Sequence, residues 1–228
     1  MEPIATPRRI PGAYMGSGAR RLRRALRRLD ARGNATIEFA LMLPILLTLG
    51  LYGTELAYMA SVRMEVGELA SAVADNASRL GQTDNSGVTP TISESDITSL
   101  MAGAKAQGAS FDFADKGRLI LTSLERDPVT GKQWIHWQRC TGALTQQSAY
   151  GNETTRNGLN GPVITGIGPS KVTASANSPI MYVEVFYDYT PLFGSMYVDE
   201  VSFKQEAAYQ VRDDRNTSTP PGGTTNRC

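Results

Sequence analysis

From Phe39 to Thr54 the chain runs through sixteen residues without a charge, and its apolar side chains are spread over every face of a helix rather than one. As an α-helix this run covers only about 24 Å. A bilayer core calls for about 20 residues, and Ala35 to Ile37 with Leu56 to Ala60 supply the difference, leaving Glu38 and Glu55 near the two interfaces. A retained transmembrane helix over 34–60 is therefore predicted. A removable secretory signal is the alternative, but no convincing small-x-small cleavage site follows the apolar core, and Ala57-Tyr58-Met59-Ala60 fits one poorly. Pro44 removes a helix hydrogen bond and should kink the segment, which membrane helices tolerate.

The helical period continues past the apolar run. Met59, Val62, Val66, Leu69, Val73, Ala77 and Leu80 recur at intervals of three and four, with Arg63, Glu65, Glu68, Asp75 and Arg79 on other faces. One helix is expected from Asn34 to Leu80, its upper half carrying a narrow apolar stripe. Gly81 to Gly87 ends it with turn residues. Ser93-Glu-Ser-Asp96 then opens a short amphipathic helix to Gln107, with Ile97, Leu100, Met101 and Ala104 on one side.

After Gly108 the period changes to two. Arg118–Glu125 and Lys132–Cys140 flank Asp127-Pro-Val-Thr-Gly131 as a hairpin. Residues 141–180 hold six glycines and three prolines with no sustained period and read as a long loop. Two alternating strands follow, over 181–189 and 201–211, joined through Thr190-Pro-Leu-Phe-Gly194. Four strands with an apolar face need a cover, and the outer half of the long helix provides it. The predicted fold is α+β: a long N-terminal helix, transmembrane in its lower half, packed on a small antiparallel sheet. The domain reading is a basic leader over 1–33, disordered or interfacial, then the span over 34–60. An extracytoplasmic α+β domain occupies 61–212, and a flexible tail 213–228.

Charge sharpens the topology. The net charge of +1 conceals a leader of nine arginines against Glu2 and Asp30, a net of +7, and a remainder of −6. An arginine block can be a nucleic-acid arm, but directly before an apolar segment it is read as a topology signal that keeps the amino end cytoplasmic. No nucleic-acid partner and no small-molecule substrate is expected. His136 is the sole histidine, in the strand run Trp134-Ile-His-Trp137, and reads as a packing or surface residue. With no nucleophile elbow, phosphate loop, metalloprotease helix or EF-hand spacing, no catalytic, cofactor or metal site is predicted.

Cys140 and Cys228 are the only cysteines and both fall on the predicted outer side, where an even pair argues for a disulfide. A free terminal thiol or an intermolecular bridge at Cys228 is the alternative.

Glu38 has two readings as well. It can lie at the headgroup level without consequence, or serve as partner for a positive group. Cutting after Gly33 would place the new ammonium of Asn34 about one helical turn from Glu38, and a neighbouring subunit could present the same group.

This arrangement resembles type IV prepilins, in which a glycine is followed by glutamate at the fifth position and an aromatic at the sixth, here Gly33, Glu38 and Phe39. More narrowly, Gly33 to Leu47 followed by Gly53-Thr-Glu55 resembles the TadE-like proteins of tight-adherence (Flp) pilus systems. Ile37, Glu38, Phe39, Ala40, Pro44 and Glu55 match that family's pattern, while Glu55-Leu56-Ala57 departs from its usual glutamate followed by Phe-Gly-Arg. The resemblance implies a minor pseudopilin in a bacterial inner membrane, pilin-like in fold, with other pilus subunits and a prepilin peptidase as partners. Cleavage would fall between Gly33 and Asn34. The alternative is an uncleaved single-span envelope protein whose outer domain binds another protein.

Overall fold

Helix α1 begins at Ser17 and runs to Ser78, so the backbone of the basic segment and of the apolar segment forms one element with no break at Gly33. The computed structural model describes residues 17–81, 89, 91–212, 216–221 and 227–228, with side chains from residue 35 onward. Residues 1–16 of the basic leader lie outside these residues, as does most of the turn after Gly81. The described chain forms two units, one ending at Gly53 and one from Thr54 to Cys228.

In the first unit α1 continues through Pro44, and the Thr48 hydroxyl donates a 2.8 Å hydrogen bond to the Pro44 carbonyl.

In the second unit the rest of α1 lies against a four-stranded antiparallel sheet. Its strands are β1 (Gly117–Arg126), β2 (Gln133–Thr141), β3 (Ile180–Tyr189) and β4 (Val201–Gln210), in the order β2-β1-β3-β4. The predicted stripe is the contact. Val62, Val66, Leu69, Val73 and Ala77 are buried with Leu119, Leu121, Met181, Val183, Val185 and Phe203. Each fully buried Val or Leu stabilises by about 1.5 to 3 kcal/mol, enough for the stripe to hold helix to sheet. Helix α2 (Glu94–Gln107) joins the same face through Ile97, Met101 and Ala104. Its start is fixed by a capping box in which the Ser93 hydroxyl accepts from the Asp96 amide and the Asp96 carboxylate accepts from the Ser93 amide. A 3-10 turn at Gly108–Phe111 and the four-residue α3 (Phe113–Lys116), neither expected from the sequence, lead into β1.

The hairpin between β1 and β2 has the expected turn. Asp127 Oδ2 accepts from the Thr130 amide and hydroxyl at 2.7 and 2.6 Å, and Gly131 takes a φ of 70° that a side chain would resist. The pairing is not regular, however. Ser123 lies opposite Trp137 and Leu124 opposite Ile135, so His136 is an extra residue in the ladder. The bulge reverses the alternation, sending Trp137 to the helix-covered face and Ile135 to the other.

That other face is not solvent-facing. Ile164, Ile167 and Ala174 from the 141–180 segment close over Leu124, Ile135, Ile180 and Tyr182 as a second core. Glu184 of β3, which alternation alone would place in water, is fully buried beneath this cover and pairs with Lys204 at 2.9 Å. Lys204 also meets Glu206 at 2.5 Å and lies over the Tyr150 ring. Burial opposes the Lys204 ammonium, but hydrogen bonds and charge from Glu184 and Glu206 outweigh it and hold its pKa above the ordinary lysine value.

Within the 213–228 segment, read as a flexible tail, the described residues are held to the head. Asn216 bridges to Thr91, the Trp137 indole donates to the Thr217 carbonyl at 3.1 Å, and the Glu94 amide donates to the Pro221 carbonyl. Cys228 is joined to Cys140 by a disulfide, Cα to Cα 5.1 Å, which settles the cysteine alternatives in favour of the intramolecular pair. Beside it a chain of ion pairs runs from the buried Glu94 and Arg139 to the half-buried Glu153 and the exposed Arg227.

Candidate membrane and assembly segment

Residues 35–54 of α1 expose every side chain. Phe39, Leu41, Ile45, Leu46 and Leu49 are each more than 60% accessible, although they point in different directions around the helix. A soluble amphipathic helix hides one stripe; an all-round apolar surface of this length calls for lipid or other apolar helices. Ala35–Ser78 is the one helix among the described residues long and apolar enough to cross a membrane.

Glu38 and Phe39 lie side by side near the start of this surface, both exposed, and among the described residues nothing pairs with the Glu38 carboxylate. Gly33 and Asn34 are helical in backbone. The sequence pattern put these four residues together; the structure keeps them on one short stretch of α1.

Glu55 behaves differently from the other candidate residues. The reading of 34–60 as the span puts it near a membrane interface, and its side chain is the first to be fully buried along α1. The Tyr189 hydroxyl donates to Glu55 Oε1 at 2.5 Å, the Leu192 amide to Oε1 at 3.2 Å, and the Phe193 amide to Oε2 at 3.1 Å. Glu55 thus ties α1 to the end of β3 and to the loop after it. Burial first, and then the adjacent Glu55 carboxylate, raise the Tyr189 pKa well above the usual tyrosine value, so Tyr189 stays a neutral donor. The Tyr58 ring, one turn on from Glu55, lies 6.0 Å from the Tyr189 ring and completes the cluster.

These contacts were missed from sequence because the partners lie more than 130 residues downstream. The available signal was a lone acid with no basic neighbour at the end of an apolar run. Replacing Glu55 by Ala should leave three donors without their acceptor and lower the stability of the head by about 2 kcal/mol. Glu55→Gln, which keeps one acceptor oxygen, should lower it less. Chemical denaturation of the full chain in detergent, followed by tryptophan fluorescence, measures this, and an unchanged midpoint for Glu55→Ala would show that the cluster contributes nothing.

His136 Nδ1 lies 2.9 Å from Glu125 Oε1 and its ring stacks on Trp134. Among the described residues no group of three His, Cys, Asp or Glu side chains is placed to hold a metal ion.

An exposed apolar helix joined to an α+β head with its own core fits the class of single-pass, membrane-anchored proteins. Residues 33–75 match the family model of the TadE-like proteins, so this segment is similar to that family, as the Gly33-to-Glu55 pattern implied. The match takes in Gly33, Glu38, Phe39, Pro44 and Glu55 and the buried stripe as far as Val73; the sheet and its second cover lie outside it. No curated protein and no solved structure matches the chain.

Proposed function

We propose that this protein is a minor pseudopilin or assembly factor of a tight-adherence pilus. It is held in the bacterial inner membrane by residues 34–60, with its amino end cytoplasmic and its head outside. The role is structural rather than catalytic. The observation that supports it best is the all-round apolar surface of residues 35–54, bearing an exposed Glu38 that nothing pairs with among the described residues, inside the segment similar to the TadE-like proteins. A bare carboxylate at the start of such a surface is costly in lipid unless a cation meets it. In this reading a prepilin peptidase cuts between Gly33 and Asn34, removes the +7 leader, and creates the ammonium that pairs with Glu38 of this chain or of a neighbouring pilus subunit.

A second reading, an uncleaved single-span envelope protein whose head binds another protein, gains support from the unbroken helical backbone across Gly33 and Asn34. Intact mass of the protein extracted from membranes, read together with crosslinked partners, separates the two. The first reading expects loss of residues 1–33 and crosslinks to other pilus subunits, both dependent on the peptidase. It further expects Glu38→Gln to be cut and inserted normally but to lose most of its crosslinks. Retention of residues 1–33 in the presence of the peptidase would overturn processing. Full crosslinking by Glu38→Gln would overturn the charge pair.

A further inference from the structure

The loop from Thr190 to Glu200 carries exposed apolar side chains that the folding of the head does not use. Leu192 and Phe193 precede a 3-10 turn at Gly194–Met196, and Met196 is 75% accessible. Val201 follows, also exposed. Gly194 takes a φ of 63°, which lets the chain reverse and present these side chains together. Phe193 and Tyr197 meet edge to face at 6.3 Å, so the tip is an ordered aromatic pair.

Its position is set by Glu55. The carboxylate accepts from the amides of Leu192 and Phe193, which holds the loop at the level of α1 immediately after Thr54, where the run of exposed apolar residues ends. Leu56 and Tyr58 of α1 are exposed at the same level. From Thr190 to Phe203 the sequence contains no lysine or arginine, and its acids, Asp199 and Glu200, are exposed at the far end of the loop.

We propose that the Leu192–Tyr197 tip is a membrane-interface anchor, inserted into the headgroup and acyl boundary of the leaflet from which α1 emerges. The inference rests on the membrane reading of residues 35–54 and adds a second contact between the head and the bilayer. Apolar and aromatic side chains at this level partition into the interface, where a ring or thioether leaves water while backbone groups remain hydrogen-bonded. The absence of cations in the loop means that insertion is apolar in origin and does not need anionic lipid. Glu55 supplies what a loop otherwise lacks at such a depth, an acceptor for its amides.

The test uses the full chain in phosphatidylcholine vesicles, with a nitroxide on a single added cysteine in Met196→Cys, Val129→Cys or Leu46→Cys. Accessibility to oxygen and to a water-soluble nickel chelate gives the depth of each label. Val129, at the tip of the β1–β2 turn, is 90% exposed and serves as the aqueous reference. The label at 46 should lie in the acyl core and that at 129 in water, while that at 196 should be shielded from nickel at a depth of about 5 to 10 Å. The result should be the same without and with phosphatidylglycerol in the vesicles.

A label at 196 as nickel-accessible as that at 129, with 46 still in lipid, would overturn the anchor and leave the membrane reading intact. A label at 46 outside lipid would overturn both. Spin–spin broadening between labels at 196 would assign the tip to a second copy of the chain and overturn the lipid assignment.

Discussion

Reduction of the Cys140–Cys228 disulfide is expected to lower the stability of the head by about 4 to 5 kcal/mol in the chain-entropy description. The two cysteines are 88 residues apart, so the bond removes a large loop from the freedom of the unfolded chain. Domains of this size are commonly stable by only about 5 to 15 kcal/mol, and the loss is a large part of that. The native state suffers too. The bond fixes the end of a tail that Trp137, Glu94 and Thr91 hold by single hydrogen bonds or a bridge, and Arg227, next to Cys228, reaches Glu153 at 3.5 Å. Urea denaturation with and without reductant measures the effect, with Cys140→Ser/Cys228→Ser as the control that reductant should not affect. Equal midpoints for reduced and oxidised protein would mean that the tail is held by its contacts alone. A head stabilised in this way suits an oxidising compartment.

Arg139→Leu should destabilise by about 3 to 5 kcal/mol, the cost of leaving a buried acid without its partner. The Arg139 guanidinium is almost wholly enclosed. Its Nε donates to Glu94 Oε1 at 2.7 Å, and its Nη1 donates to the Gln138 carbonyl at 2.6 Å and to Glu153 Oε2 at 3.0 Å. Glu94 is itself buried, and its Oε2 makes no hydrogen bond among the described residues, so Arg139 is what neutralises it. Removing both charges is different from removing one. Arg139→Leu/Glu94→Leu should recover most of the loss, and the double-mutant cycle gives the coupling directly. If the double variant were as unstable as the sum of the singles, the pair would contribute nothing as a pair.

Much of the fold is local and could be read. The stripe from Val62 to Ala77, the capping box at Ser93, the turn at Asp127 to Gly131 and the alternation of β3 and β4 each depend on residues within a few positions of one another. The link from β3 to β4 was read too short, since it continues past Gly194 through a 3-10 turn to Glu200. What the pattern could not convey was which segments close over the sheet. A loop without periodicity buries Glu184, and only a distant lysine makes that burial tolerable. The same holds for the candidate site. Gly33, Glu38 and Phe39 are a local signature, but the role of Glu55 depends on Tyr189 and the loop after it, which no local pattern connects to it.

The bulge at His136 also marks where this chain can vary in length. Because Ile135 and Trp137 belong to cores on opposite faces, as adjacent residues of a regular strand do, the residue between them is one that the register of β2 does not need. Exchanging His136 for another side chain alters a half-buried pair with Glu125. Deleting it would set Ile135 and Trp137 side by side opposite Leu124 and Ser123 and leave each facing its own core, whereas losing or gaining one residue elsewhere in β2 would exchange the two faces for every residue on one side of the change. In natural relatives or engineered variants, β2 can therefore lose one residue at this position far more readily than at any other.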